Sequence, residues 1–373
     1  MRTRPNRFGR FLPLIALAIF APAALAVNNG DVPVNTPASA RRMIEDLTQT
    51  YGARYKDGPA YLKRLADIEA KLKADPKDAQ AGKDLEELIH QASLANPLLD
   101  FDKLLVIRRT KEANRGLNAY TSMTIKTKGW DNEISELSNL RGEIKVRTVY
   151  RHPDTSVMKH MNLDFDGKHI MFSGVGANGS WAVLEVDSDG KNLRELTPSD
   201  QPDVNWFDAC YLPEQPYIAA CSTAGMQGLP CVNGSAPMVN LYRVNTVNKQ
   251  VQQLTFEQDS DWHPRVLNSG RILYLRWEYT DIPHYFSRYL FQMNPDGSGQ
   301  VEHWGSGSYF PTAFVWARPI PEHSSRIVGI VSGHHAKSET GRLVLLDPGL
   351  ARKYPLRYDP PDKSWGKPGS TVN

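Results

Sequence analysis

The chain has 373 residues, enough for a sizeable core and about two domains of ordinary size. Hydrophobic residues make up 40% and charged residues 23%, which excludes both a multi-span membrane protein and a fully disordered chain. Lys and Arg number 44 against 41 Asp and Glu, a net charge of +3.

That excess lies at the N-terminus. Arg2, Arg4, Arg7 and Arg10 form a basic start, Phe11 to Ala23 is an apolar run, and Ala24-Leu25-Ala26 fits a small-x-small cleavage site. Residues 1–26 are therefore predicted to be a secretory signal peptide, cut before Val27. The run falls short of the ~20 residues a membrane span needs, and no later stretch is long and apolar enough for one. Without this segment 40 basic residues face 41 acidic ones, a net charge of −1. No basic stripe is left to attract nucleic acid. The expected location is periplasmic or extracellular, where thiols are usually paired. The cysteines are Cys210, Cys221 and Cys231, and the odd count leaves at least one outside any internal pair. A Cys221–Cys231 disulfide is the expectation, with a free thiol serving as a ligand as the alternative.

After a leader without periodicity, Thr36-Pro37 has the form of an N-cap followed by Pro at the first helical position. Met43, Ile44, Leu47 and Tyr51 continue at helical spacing. Tyr61, Leu65, Ile68 and Leu72 predict a second helix, and Leu85, Leu88, Ile89 and Ala92 a third. Asp57-Gly58-Pro59, Asp75-Pro76 and Asn96-Pro97 punctuate them. Residues 36–97 thus read as a small helical region capping the rest.

From Leu98 the texture changes to short β-branched and aromatic runs separated by Gly, Asn, Asp and Pro. One unit recurs. Asn162 to Phe172 is strand, Asp166-Gly167 turn, strand. Trp181 to Val186 leads through Asp189-Gly190 to Leu193 to Thr197. Asn240 to Asn245 with Val251 to Thr255 closes a copy that is degenerate at its start. Pro264 to Tyr274 with Tyr289 to Gly297, and Arg326 to Val331 with Leu343 to Pro348, follow. Leu104 to Arg108 with Asn132 to Leu137 is a weaker early copy. A period of 40–50 residues with four strands each is that of a propeller blade, and Asp-Gly turns supply the positive φ of tight hairpins. The predicted fold is mainly β: a β-propeller of four-stranded blades over residues 98–350, about five visible, with the helical cap before it and an irregular tail at 351–373. Propellers hold roughly four to eight blades. The ring either closes with few blades or the chain is shorter than a complete ring needs, and the second is favoured.

The repeats resemble the TolB-type, WD40-like β-propellers. Four stretches narrow the likeness: 96–106 (Asn-Pro-Leu-Leu-Asp-Phe-Asp-Lys-Leu-Leu-Val), 129–134 (Gly-Trp-Asp-Asn-Glu-Ile), 270–281 (with Arg276-Trp277-Glu278-Tyr279) and 328–335 (ending Ser332-Gly333-His334-His335). They resemble the propeller domain of proteins related to the hydrazine synthase alpha subunit, over residues 38–350. The resemblance implies an extracytoplasmic propeller and, in the enzyme behind the family name, haem chemistry. It implies Asp131 and Cys221 as counterparts of a propeller aspartate and cysteine near that enzyme's haem metal site. Covalent c-type haem needs Cys-x-x-Cys-His, which is absent here, and hydrazine synthesis by this chain alone is not expected.

The candidate metal ligands are Asp131, Cys221, His334 and His335, a set whose chemistry suits zinc. The candidate ligand-binding group is Arg276, Trp277, Glu278, Asp281 and His284, because strand alternation puts Arg276 and Glu278 on one face. A salt bridge pinning a long loop explains the same residues equally well. No Gly-x-Ser-x-Gly, P-loop or Gly-x-Gly-x-x-Gly signature occurs, and Asp187-x-Asp189-Gly190 reads as a hairpin turn. The leading expectation is an exported binding or assembly module, recognising a protein or small ligand at the propeller mouth without a cofactor. The alternative is a subunit of a periplasmic redox enzyme that lends Cys, His and Asp to a shared zinc or haem-iron site.

Overall fold

The computed structural model describes residues 35–109, 128–230, 233–278, 287–305, 313–321, 323, 325–332 and 341–348, without the side chains of Glu278 and Ser287. The predicted signal peptide, the 351–373 tail, Cys231, Asp281, His284, His334 and His335 lie outside them. Among the described residues the chain divides into two units, one of 35–105 with 136–147 and one of 106–135 with the residues from 148 onward.

The first unit is built on three helices: α1 (Pro37–Tyr51), α2 (Gly58–Ala74) and α3 (Ala79–Leu94). Thr36 caps α1 by accepting the Ser39 N–H while Ser39 Oγ accepts the Thr36 N–H, a reciprocal capping box. Asp78 caps α3 by accepting from the backbone of Gln80 and Ala81. Gly58-Pro59 opens α2 rather than merely breaking the chain, since Pro at the start of a helix forfeits no intrahelical bond. Ile44, Leu47, Leu65, Ile68, Leu85, Leu88 and Ala92 meet in one core. Each fully buried aliphatic side chain there contributes about 1.5–3 kcal/mol. No helix among the described residues is long and apolar enough to cross a membrane.

The rest is β. Strands β1 (Lys103–Arg108), β2 (Glu133–Ser138) and β3 (Lys145–Tyr150) form a sheet in that order. β4 (Lys159–Leu163), β5 (His169–Val175), β6 (Trp181–Asp187) and β7 (Arg194–Glu195) form an antiparallel meander, as do β8 (Trp206–Tyr211), β9 (Tyr217–Ser222), β10 (Asn240–Asn245) and β11 (Val251–Gln253). β12 (Asp261–Val266), β13 (Ile272–Glu278), β14 (Ser287–Met293) and β15 (Val301–Trp304) form a third. β16 (Ala313–Pro319), β17 (Ile327–Ser332) and β18 (Arg342–Leu346) form a fourth, joined to the third only where Arg288 pairs with Ala313 in parallel. Each meander has the strand order of a propeller blade. The described residues do not define a closed ring.

Apolar residues pack between consecutive meanders. Met171, Val183, Trp206, Tyr211, Ile218 and Tyr242 fill the space between the first two full meanders, and Phe207, Leu241, Trp262, Tyr274, Trp277 and Phe314 belong to a larger core beyond. Tyr211 Oη adds a polar tie by donating to buried Glu185 Oε2 at 2.6 Å. The turns Asp166-Gly167 and Asp189-Gly190 place their glycines at φ 74° and 87°, as such hairpins require. Asp189-Gly190 is a hairpin turn, with Gly190 N–H donating to Asp187 O at 2.8 Å.

Candidate functional site

The first strands of the four meanders, β4, β8, β12 and β16, touch in sequence. All four are broken in the same way. Lys159 and Asn162 pair with Ser173 and Met171, so that two residues, His160 and Met161, oppose one. Asp208 and Ala209 do the same between Phe207 and Cys210, His263 and Pro264 between Trp262 and Arg265, and Trp316 and Ala317 between Val315 and Arg318. The first residue of each bulge has left-handed backbone: His160 at φ 53°, Asp208 at 43°, His263 at 56° and Trp316 at 57°. Non-glycine residues there carry strain of about 1–3 kcal/mol each, and bulges re-aim side chains. Here they gather four side chains at one place.

His263 Nδ1–H donates to Asp208 Oδ2 at 2.5 Å, and both Arg265 terminal nitrogens donate to Asp208 Oδ1 at 3.0 Å. The Trp316 ring lies 4.0 Å from that of His263 and is stacked 5.4 Å from that of His160. The Asp208 N–H donates to Ser173 Oγ at 2.8 Å, and Ser173 Oγ lies 2.9 Å from His160 Nδ1. Asp208, His263, Arg265, His160 and Ser173 are buried, and Trp316 and Arg318 are partly buried.

The electrostatics follow from burial and charge. Burial opposes ionisation of Asp208, but the Arg265 guanidinium beside it and the His263 hydrogen bond hold its carboxyl well below the usual carboxylate range. Burial drives the His160 imidazole well below its ordinary value, so it is neutral. The Arg265 guanidinium, and then burial, push Arg318 down to about 9, still cationic at neutral pH. Burial pushes the Cys210 thiol up to about 12. Among the described residues of the cluster, one carboxylate stands beside two guanidiniums, and buried Lys159 also acts on His160.

The described residues singled out from sequence have other partners. Arg276 donates to Asp261 Oδ1 at 3.2 Å, pairs with Glu257 at 3.1 Å, and lies over the rings of Phe291 and Tyr274. These contacts tie it to Asp261 at the start of β12 and to Glu257 just before it. Trp277 is fully buried, stacked on Trp262 with Arg288 over its ring. Glu278 is placed by its backbone alone in β13. Asp131 is exposed and paired with Arg151. Cys221 is a buried free thiol whose Sγ faces Asp261 O at 4.0 Å, and burial raises it well above the usual thiol value. The remaining candidates, Asp281, His284, His334, His335 and Cys231, lie outside the described residues. One other ligand-type group occurs among the described residues, Asp164, Asp166 and His169. His169 is hydrogen-bonded to Asp164 at 2.7 Å and Asp166 is paired with Lys168.

Sequence reading missed His160, Asp208, His263 and Trp316. A bulge shifts the alternation of side chains in mid-strand, so these strands do not show an unbroken period of two. Each of the four begins the bulge in the first strand of its repeat, a position set by pairing with the next strand and not marked by any local motif.

Buried carboxyls also set the acid response. Burial favours a neutral Glu133, but hydrogen bonds from Arg151, Ser135 and Thr148 hold it at about 2. Burial raises Asp259 and Asp261 to about 6 each. A depressed carboxyl contributes stability that is lost as pH falls below its unfolded value of about 4. A raised one costs stability as pH climbs from about 4 through 6. Unfolding midpoints in urea are therefore expected to peak at about pH 4, to decline as pH rises to about 6 and to fall toward pH 2. A flat profile across that range contradicts these assignments.

No family model and no curated protein matches the sequence. Solved structures do resemble the chain. The hydrazine synthase of Kuenenia stuttgartiensis is 13% identical with a TM-score of 0.52, the match covering 66% of this chain and 37% of that one. A TolB of Agrobacterium tumefaciens is 14% identical with a TM-score of 0.42, covering 58% of this chain and 74% of that one. Oligogalacturonate lyase from Vibrio parahaemolyticus is 13% identical with a TM-score of 0.41, covering 67% and 63%. The likeness to hydrazine synthase shows the fold: the β part is of the β-propeller kind. The matched region spans 37% of that enzyme's chain.

Proposed function

We propose that this chain is an exported β-propeller of five blade-like units that acts as a recognition module, binding a small ligand at the His160–Asp208–His263–Trp316 cluster. The observation that supports it is the bulge repeated in four first strands. Strained backbone is retained where surrounding structure holds it for a purpose, and here four such residues meet at adjoining strands. Function is argued from this site and not from the fold, because one fold hosts many chemistries.

The redox-subunit alternative gains no support from the described residues. Cys221 is a buried thiol, Asp131 is paired with Arg151, and His334 and His335 lie outside the described residues.

The test is a thermal-shift screen of the chain from Val27 against a diverse small-molecule library, run beside Trp316→Phe and His263→Asn. The expected result is a compound class that raises the Tm of the parent and loses that effect in both variants. No hits, or hits indifferent to both substitutions, overturn the reading. Elemental analysis of the same preparation separates the alternative. About one zinc or iron per chain retained through dialysis would favour the redox subunit and its Cys221, His334 and His335.

A further inference from the structure

Three features of the cluster go beyond the binding of some ligand. The first is charge. Arg265 is matched by Asp208, but Arg318 has no carboxylate within ion-pair distance among the described residues. The one carboxylate close enough to act on it, Asp208, already holds both Arg265 nitrogens and His263.

The second is a hydrogen-bond donor. Ser173 Oγ accepts the Asp208 N–H, so its own proton is best placed on His160 Nδ1. That assignment, drawn from the network, puts the proton of the neutral imidazole on Nε2. His160 Nε2 is buried and has no hydrogen-bond partner among the described residues. A buried donor without an acceptor costs about 1–3 kcal/mol. The third is access: Trp316 and Arg318 are the partly buried members of an otherwise buried group.

Resting on the recognition reading above, we infer that the ligand of this site is a carboxylate, received by the forked guanidinium of Arg318 and by the Nε2–H of His160. The guanidinium of Arg318 suits an anion, and its planar fork matches the two oxygens of a carboxylate. The neutral thiol of Cys210 adds no competing charge.

The experiment titrates the full chain from Val27 with acetate, benzoate and inorganic phosphate at constant ionic strength, following tryptophan fluorescence and Tm. Arg318→Met, Arg318→Lys and His160→Asn are compared. The expected result is saturable binding of a carboxylate, weakened about tenfold or more in Arg318→Met, since a charge-assisted hydrogen bond contributes about 1.5–3 kcal/mol. Arg318→Lys keeps the charge without the fork and is expected to fall between, which preserves the test if Arg318→Met does not fold. Carboxylate binding that ignores Arg318, or none at all, overturns the inference. Binding of phosphate without either carboxylate also overturns it, yet leaves a ligand site. Library hits lost in Trp316→Phe, with no anion among them, sink the carboxylate and leave the recognition module standing.

Discussion

Asp208→Asn is expected to lower the free energy of unfolding by about 3–5 kcal/mol, the cost of removing one partner from a buried ion pair. Asparagine keeps the size of the side chain and tolerates the left-handed backbone at φ 43°. Only the charge goes. What is left is Arg265, 4% exposed, with Arg318 beside it and no compensating carboxylate among the described residues. His263 loses its charged acceptor as well. Urea denaturation of parent and variant measures the loss, and a change under about 1 kcal/mol would show that Asp208 does not hold this cluster. A second substitution, Arg265→Met, made in the Asp208→Asn background, is expected to restore part of the stability. Two residues in contact are not additive, and the cycle isolates their coupling.

Gly190→Ala is expected to be almost as damaging, and Gly167→Ala to be mild, although both glycines close Asp-Gly hairpins. Both have positive φ, 87° and 74°, so each alanine meets a backbone cost of about 1–2 kcal/mol. The space around them differs. A Cβ on Gly167 meets nothing within 4 Å, whereas one on Gly190 falls 1.8 Å from the carbonyl oxygen of Val149. That oxygen belongs to β3 and cannot rotate away. Relieving the overlap requires β3 and the β6–β7 turn to separate, which adds about 1–3 kcal/mol of overpacking strain. The difference between the two variants in urea midpoint is the measurement. Equal losses would mean that the turn and β3 are not in close contact.

The comparison of these turns explains how much of the fold the sequence disclosed. Where a hairpin is closed by Asp166-Gly167, Asp189-Gly190 or Ser269-Gly270, the strands on either side were recognisable, because the turn needs a residue without a Cβ. The helices were recognisable for a similar reason: Thr36, Pro37 and the i, i+3, i+4 apolar spacing are local signals. β8 and β9 were not found. They are joined through Pro213, Glu214, Gln215 and Pro216, which carry no Asp-Gly signal. β3, β15 and β16 were missed too; β3 is exposed along most of its length, and β16 is interrupted by its bulge.

The candidate site was hidden by the same feature that builds it. Asp208, His263 and Trp316 are far apart in the chain and share no short motif. Their relation lies in hydrogen-bond register, which depends on partner strands. Arg276 and Trp277 drew notice because they are adjacent and chemically conspicuous. Their neighbours in space, Asp261, Glu257, Trp262 and Arg288, commit them to the interior.

The four bulges have a further consequence. The offset that turns each of these side chains inward is a property of the backbone register, and residues as unlike as histidine, aspartate and tryptophan occupy it. Presentation and identity are thus separable. Each bulge is a socket, and what it holds can be exchanged without rebuilding a strand. Asn and Asp enter the left-handed region most readily, glycine without cost. On the recognition reading proposed above, recombining side chains at 160, 263 and 316, with the Asp208–Arg265 pair kept, offers a compact route to altered specificity on one scaffold.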